Sequence, residues 1–93
     1  MKVATAVLSG TVKDNQGQAL PGMTVILTNV ETNVSQMTMT NMDGHYRFPG
    51  IAPGVYALKA ESEGFTQVEV TGIDLTVGQD AALDITMQRQ LAE

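Results

Sequence analysis

Turn-forming residues interrupt this chain at short intervals, and this punctuation constrains its fold more than any other feature. Asp14–Gly17, Leu20–Gly22 and Asn41–Gly44 each combine residues suited to tight turns. Asn and Asp hydrogen-bond to their own backbone, and Gly accepts a positive φ. The segments between the turns are rich in Val, Thr, Ile and Tyr, which favour strands. Short strands separated by such turns are typical of an all-β sandwich.

The alternation of apolar and polar residues predicts seven strands. In the last of them Leu83, Ile85 and Met87 alternate with polar residues, so one face is expected to be buried. The alternation in the second strand is less clean, because Ile26 falls on its polar face. The predicted strands are about Ala4–Lys13, Met23–Val30, Val34–Thr40, His45–Phe48, Val55–Glu61, Phe65–Thr71 and Ala81–Gln88.

Two Pro-Gly pairs and one isolated glycine set further predicted boundaries. Pro49-Gly50 and Pro53-Gly54 flank Ile51, and we predict a loop there because Pro is rigid and Gly permits a bend. Gly72 is predicted to end the sixth strand. No repeat or linker interrupts the pattern, so residues 1–93 are predicted to form a single domain with a core of about residues 4–89.

Composition excludes several functional classes. The net charge is −5 and the five basic residues are scattered, so no basic stripe is available for nucleic acid. No apolar run approaches the roughly 20 residues of a spanning helix, so we expect no direct membrane insertion. The absence of cysteine excludes disulfides, thiolate metal sites and thiol catalysis. Stability must therefore come from core packing and sheet hydrogen bonds.

The few aromatic rings are expected to form the core. A buried aromatic side chain covers about 150–250 Å², and this chain has only two Tyr and two Phe. All four occupy inward positions of the predicted strands, which leaves none for ligand binding. The predicted buried set is Tyr46, Phe48, Tyr56, Leu58, Phe65, Leu83 and Ile85.

Three segments together resemble the carboxypeptidase regulatory-like domain. They are Gly10–Val25 (GTVKDNQGQALPGMTV), Thr40–Phe48 (TNMDGHYRF) and Pro53–Phe65 (PGVYALKAESEGF). The resemblance covers about residues 6 to 88 and implies a seven-stranded Greek-key β-sandwich similar to transthyretin. It also implies a setting beside metallocarboxypeptidase domains, on surface proteins, or at the N-terminus of Oar-like TonB-dependent outer-membrane receptors. None of these settings requires chemistry from the domain itself.

The candidate catalytic and metal-binding residues form no recognisable set. His45 is the single histidine and lies on the outward side of a short strand, and Ser9, Ser35 and Ser62 lie in no nucleophile motif. Hydroxyisourate hydrolases, which are similar in fold, use several histidines. Asp14, Asn15 and Asp43 lie in turns without the spacing that calcium requires. We therefore predict no enzymatic activity, no cofactor and no metal.

The resemblance also bears on self-made cross-links. Collagen-adhesin B-type domains, which are related to this family, can join a Lys to an Asn or Asp with the help of a buried Glu. The Lys position corresponds here to Val12 and the Glu position to Ala60. The cross-link is therefore expected to be absent.

Methionines mark the predicted docking surface. On one face of the third strand lie Met37 and Met39, and on the other lie Thr38 and Thr40. Burial of each Met would gain roughly 1.5–3 kcal/mol, which favours an inward methionine face. The family pattern treats the Thr40 position as the regular one before the Asp-Gly turn, which turns Met37 and Met39 outward and leaves Met42 in the loop. We predict that these adaptable side chains form a docking surface.

The sequence thus predicts a non-catalytic accessory, spacer or docking domain of a larger secreted or outer-membrane protein, with an extracytoplasmic location. Its expected partner is a neighbouring domain of the same chain, another surface protein or a second copy. The alternative is a glycan- or peptide-binding module on a surface protein or enzyme. An exposed ring face on Tyr46 or Tyr56 would favour that alternative.

Overall fold

A computed structural model describes residues 5–88, which form eight strands. Within this range there is no helix, and therefore none that could cross a membrane. The strands are β1 Ala6–Asp14, β2 Thr24–Asn29, β3 Ser35–Met39, β4 His45–Ile51, β5 Gly54–Glu61, β6 Val68–Leu75, β7 Asp80–Ala82 and β8 Ile85–Met87.

The strands form two sheets that pack as a Greek-key sandwich. One sheet has the order β4-β1-β7, with β8 also paired to β1, and the other has the order β3-β2-β5-β6. β1 pairs antiparallel with β4 but parallel with β7 and β8. The chain crosses between the sheets after β1, β3, β4 and β6, as the predicted transthyretin-like fold requires.

Alternating side chains of both sheets fill the core. Tyr46, Phe48, Tyr56, Leu58 and Ile85 are buried as predicted. Phe65 and Leu83 were predicted to be buried but are only partly so. Phe65 lies in the connection before β6, where its amide donates to the Ser62 carbonyl, and Leu83 lies at the sheet edge between β7 and β8. The remaining core is aliphatic: Ala6, Leu8, Val12, Leu20, Met23, Val25, Leu27, Ile51, Ala60, Leu75 and Met87.

The predicted last strand is divided into β7 and β8, which raises the count from seven to eight. Both halves keep one register on β1, since Ser9 pairs with Ala82 and Val12 with Ile85. Between them, the Thr11 amide donates to the Asp84 carboxylate at 3.1 Å instead of to a main-chain carbonyl. The side chain of Asp84 therefore interrupts the ladder without shifting it.

Two glycines predicted to bound loops or strands instead lie inside strands. β4 continues through Pro49 and Gly50 to Ile51, and β6 continues through Gly72. Gly50 has φ 65° and Gly72 has φ 71°, and each coincides with a shift in pairing register. Both strands lie at sheet edges, where a bulge and a proline without an N–H donor are tolerated. The prediction of a loop at Ile51 was therefore wrong.

Candidate docking surface

Thr40 fixes the orientation of β3. Its hydroxyl is buried, donates to the Leu20 carbonyl at 2.6 Å and accepts from the Met23 amide at 2.9 Å. The Thr40 amide also donates to the Met23 carbonyl at 3.0 Å. Because successive strand residues alternate between faces, an inward Thr40 turns Met39 and Met37 outward.

The loop after β3 is closed by Asn41. Its side-chain oxygen accepts hydrogen bonds from the amides of Asp43 at 2.9 Å and His45 at 3.0 Å. Gly44 has φ 77°, and a Cβ there would lie 2.8 Å from the Val12 carbonyl oxygen, so the turn requires glycine. This tight turn places Met42 at its exposed side, 89% accessible.

Together these constraints create the methionine surface, which we define as Met37, Met39 and Met42 with Ile26. Met37 is 69% and Met39 59% accessible. Ile26 pairs directly with Met37 across β2 and β3, so the two side chains share the outer face of the sheet. Beyond Ile26, on β5, Lys59 and Glu61 form an ion pair with a 3.7 Å separation. The methionine surface is thus an apolar strip bordered by an ion pair of opposite charges.

Met37 and Met39 therefore face outward, in the register that the resemblance implied. Their role in docking stays a prediction. Ile26 was not predicted as part of the surface, although its position on the polar face of β2 was the available signal. The structure places Met42 in the turn that follows the same strand, rather than on the β3 face itself.

A shallow groove of about 560 Å³ begins beside Met39 and crosses β4 and β1 toward Asp84. Several of its polar side chains already serve the fold. His45 Nδ1 shares a hydrogen bond of 3.1 Å with the Thr11 hydroxyl, and Asp84 accepts from the Thr11 amide. The lining residues are Ser9, Gly10, Thr11, Thr38, Met39, Asn41, His45, Tyr46, Arg47, Ala82 and Asp84.

Both tyrosine rings are buried, so neither offers the exposed face that would favour glycan binding. Tyr46 is 3% and Tyr56 4% accessible. The Tyr46 hydroxyl donates to the Leu83 carbonyl, and the Tyr56 hydroxyl donates to the Ala52 carbonyl at 2.6 Å. Burial raises the pKa of Tyr46 well above its ordinary value, and the Asp84 carboxylate adds to this rise. Tyr46 is therefore a neutral structural donor.

The residues weighed for metal binding and catalysis are dispersed. Asp14 is buried, and its carboxylate accepts from the amides of Gln16 and Gln18, both at 2.9 Å, which closes the first turn. Ser35 shares a 2.8 Å hydrogen bond with Thr28 on the neighbouring strand. Residues 5–88 contain no group of three His, Asp or Glu side chains placed to hold a metal ion.

The two positions relevant to a cross-link are both apolar and fully buried. Val12 and Ala60 each have 0% accessibility and belong to the core. Neither side chain carries the amine or carboxyl group that such a cross-link requires.

The two-sheet fold defines a β-sandwich module of the transthyretin-like class. The chain belongs to the carboxypeptidase regulatory-like domain family, whose model matches residues 7–88. This family assignment confirms the resemblance drawn from the three sequence segments.

Two protein relatives show where similar sequences occur. Serine-aspartate repeat-containing protein D of Staphylococcus aureus (strain Newman) is 36% identical over 59 residues, 62% of this chain. The TonB-dependent transporter Oar of Myxococcus xanthus is 28% identical over 85 residues, 89% of this chain. The chain spans only 4% of the first protein and 8% of the second.

Solved structures share the fold at low sequence identity. The Bacillus anthracis TIE protein matches with a TM-score of 0.75 at 17% identity, covering 92% of this chain and 17% of its own. A putative carbohydrate binding protein from Bacteroides uniformis matches with a TM-score of 0.73 at 19% identity, covering 90% and 41%. Chlorocatechol 1,2-dioxygenase from Pseudomonas putida matches with a TM-score of 0.69 at 13% identity, covering 92% and 61%. These likenesses concern the fold alone.

Proposed function

We propose that this domain is a non-catalytic docking or spacer unit of a larger extracytoplasmic protein. The family assignment and the small share of each relative that the chain spans support a role as one part of a longer polypeptide. The relative described as a TonB-dependent transporter supports a location at the cell envelope. The polar side chains weighed for chemistry are engaged in turns and strand contacts, which supports a role without catalysis.

The distribution of exposed apolar side chains carries this proposal. Six large hydrophobic residues are exposed in the part of the chain that the structure describes, and five of them fall between residues 30 and 42. Single exposed hydrophobics are normal on protein surfaces, whereas contiguous ones mark interaction sites, and Met37 and Met39 share the outer face of β3 beside Ile26. The five are Val30, Val34, Met37, Met39 and Met42.

Thermal unfolding of the isolated domain and of the full-length gene product tests the proposal. A docked neighbour stabilises the folded state, so the domain is expected to melt at a higher temperature in the full-length protein. The double substitution Met37→Thr and Met39→Thr should abolish this difference, since Thr keeps strand propensity but removes apolar contact area. In the isolated domain the same change should cost no more than about 0.5 kcal/mol.

Val77→Thr is the matched control, because Val77 is 52% exposed and lies outside residues 30–42. It should leave the melting difference between the two proteins unchanged. A full-length protein in which this domain melts as it does alone, or one in which the double substitution has no more effect than the control, would contradict docking through the methionine surface.

A glycan- or peptide-binding module is the second candidate, and the groove between Met39 and Asp84 favours it. Arg47 and Asp84 supply opposite charges along that groove, and a solved protein of similar fold is described as a putative carbohydrate binding protein. The buried tyrosine rings weigh against stacking on a sugar. Titration with soluble oligosaccharides should therefore leave the amide resonances of Thr11, His45 and Arg47 unmoved, and saturable shifts there would favour this second function.

A further inference from the structure

The edges of the two sheets differ in how well they are protected against pairing. β4 and β6 each contain a bulge with a positive-φ glycine, and β4 also contains Pro49. β7 and β8 are three residues each and are separated by the interruption at Asp84. β3 has none of these features: its five residues, SQMTM, include no charge, proline or glycine. Bulges, short strands, charges and prolines are the usual protections of an edge, so β3 is the least protected edge described.

The backbone of β3 presents regularly spaced hydrogen-bonding groups to its open side. The Thr40 amide donates to the Met23 carbonyl, and the Asn29 amide donates to the Val34 carbonyl, which fixes the bonding pairs of this ladder. Bonded and non-bonded pairs alternate along an antiparallel ladder. The pairs of β3 with β2 therefore leave the N–H and C=O groups of Ser35, Met37 and Met39 directed away from β2.

We propose that β3 pairs antiparallel with β3 of a second copy of this chain, about a two-fold axis at Met37. This inference rests on the proposed docking function and names its partner. The strand is self-complementary under such an axis: Met37 meets Met37 of the other copy, and Met39 meets Ser35 in both directions. All three residues present outward N–H and C=O groups, so each pair can exchange two hydrogen bonds.

Side chains on the outer face agree with this register. Ile26 lies directly beside Met37, so the two-fold pairing places four apolar side chains in one row, Ile26 and Met37 from each copy. No charged side chain lies on β3, and Lys59 and Glu61 pair within their own copy. The seam therefore brings together apolar surface and backbone groups without opposing like charges within the paired strands.

The size of the seam determines how strong this pairing can be. Five residues span about 17 Å, and stable interfaces bury about 800 Å² on each partner, which a single strand pair does not reach. Each copy also carries a net charge of −5, so the two copies repel at long range. We therefore expect weak association that increases with protein concentration and with salt, and that strengthens wherever two copies are held close together.

Cysteine cross-linking tests the pairing without interference, because the chain contains no cysteine of its own. Directly opposed residues in a bonded antiparallel pair have Cα atoms about 5.5 Å apart, within the range of a disulfide. Under mild oxidation, Met37→Cys should form covalent dimers about tenfold faster than the similarly exposed Val77→Cys, because pairing raises the local thiol concentration. Equal rates for the two variants would overturn the proposal.

Two substitutions at one position separate backbone pairing from side-chain contact. Met37→Pro removes an N–H group that points away from β2, so it should abolish the expected concentration-dependent association. Analytical ultracentrifugation measures this association. Met37→Thr retains the N–H group and should only weaken association. Circular dichroism and thermal melting establish that Met37→Pro still folds, and Met39→Pro provides a second removal of an outward N–H group if it does not.

The outcomes distinguish this inference from the proposed function. Loss of the melting difference on Met37→Thr and Met39→Thr, together with equal cross-linking rates, would retain docking but overturn the second copy as its partner. Rapid cross-linking through Met37→Cys, with association abolished by Met37→Pro, would support the paired β3 edge even if the neighbouring parts of the longer protein prove to make no contact.

Discussion

At the scale of single residues, Gly10 is the glycine at which an added Cβ would have the least space among those of residues 5–88. A Cβ at Gly10 would lie 1.9 Å from the Leu83 carbonyl oxygen and 2.8 Å from the Tyr46 hydroxyl. The missing side chain lets Tyr46 reach across β1 from β4 and donate to the Leu83 carbonyl, which joins β4 to the connection between β7 and β8. The hydrogen bond from Tyr46 to Leu83 thus requires glycine at position 10 because space is limited there, and not because of the backbone conformation.

Gly10→Ala is therefore expected to destabilise the domain by about 3 kcal/mol or more, because backbone on one side of the added methyl group resists displacement. Urea unfolding monitored by circular dichroism measures this change. Ser9→Ala is the control, since the Ser9 carbonyl that accepts from the Leu83 amide remains, and it should shift stability by about 0.5 kcal/mol at most. A Gly10→Ala variant as stable as the control would refute the close approach.

Tyr46 should make stability depend on pH in the alkaline range. Its pKa is raised by burial and by Asp84, so the folded state keeps the proton where the unfolded state, with a pKa near 10, loses it. The unfolded state then binds fewer protons, and stability falls as pH rises above about 10. Tyr46→Phe should be less stable than the parent at pH 7, because the Leu83 carbonyl loses its donor.

The stability gap between the parent and Tyr46→Phe should therefore narrow by about 1 kcal/mol between pH 9 and pH 11. Other titrating groups are common to both proteins, so their effects cancel in this comparison. Guanidinium unfolding at each pH provides the measurement. A gap that stays constant over this range would show that Tyr46 ionises in the folded protein as readily as in the unfolded one.

At the scale of elements, Ile51 shows what a bulge does to a strand. Pro49 and Gly50 interrupt the pairing of β4 with β1, yet Ile51 resumes it opposite Ala6 and is completely buried. Ile51→Ala is therefore expected to cost about 3 kcal/mol, the range for a truncated core residue, rather than the small effect of a loop position. Val77→Ala, at an exposed site, serves as the control in the same unfolding experiment.

If Ile51→Ala and Val77→Ala proved equally mild, the segment after Gly50 would behave as a loop and the extended β4 would be wrong. Intermediate stability loss is expected instead for Ile73→Ala, because Ile73 is only partly buried beside the matching bulge of β6. The three variants thus rank by burial, with Ile51 and Ile73 on the two bulged strands and Val77 as the exposed control.

Strand segments whose register is continuous could be predicted from the sequence, including Tyr46 and Phe48 of β4, whereas the segments of β4 and β6 at and beyond their bulges could not. The alternation in β2 and β5 gives the correct inward residues, because period-two patterning survives wherever pairing is regular. Strand boundaries were wrongly predicted at Gly50 and Gly72, because a positive-φ glycine within an edge bulge has the same sequence signature as a turn. The division of the last strand at Asp84 could not be predicted either. A side-chain carboxylate that replaces a main-chain carbonyl as hydrogen-bond acceptor does not change the hydrophobic pattern of the sequence.

At the scale of the whole molecule, the outward direction of Met37 and Met39 followed from one residue. Hydrophobicity alone favoured burying them, whereas the family resemblance placed Thr40 inward. There the Thr40 hydroxyl donates to the Leu20 carbonyl and accepts from the Met23 amide. The exposure of Val30 and Val34, in the connection between β2 and β3, could not be predicted from the sequence alone. The outward direction of Met37 and Met39 was thus predicted through the family resemblance rather than through apolar content, and the buried hydrogen bonds of Thr40 give its physical reason.

Methionine oxidation footprinting tests the central claim most directly, because the chain carries buried and exposed methionines as internal standards. In the dilute isolated domain, mild peroxide should oxidise Met37, Met39 and Met42 rapidly, while Met23 and Met87, at 7% and 0% accessibility, react slowly. In the full-length gene product at the same dilution, we expect Met37 and Met39 to become several-fold slower while Met23 and Met87 keep their rates. Equal rates for Met37 and Met39 in both proteins would contradict the account, because the methionine surface would then be uncovered in the setting it is proposed to serve.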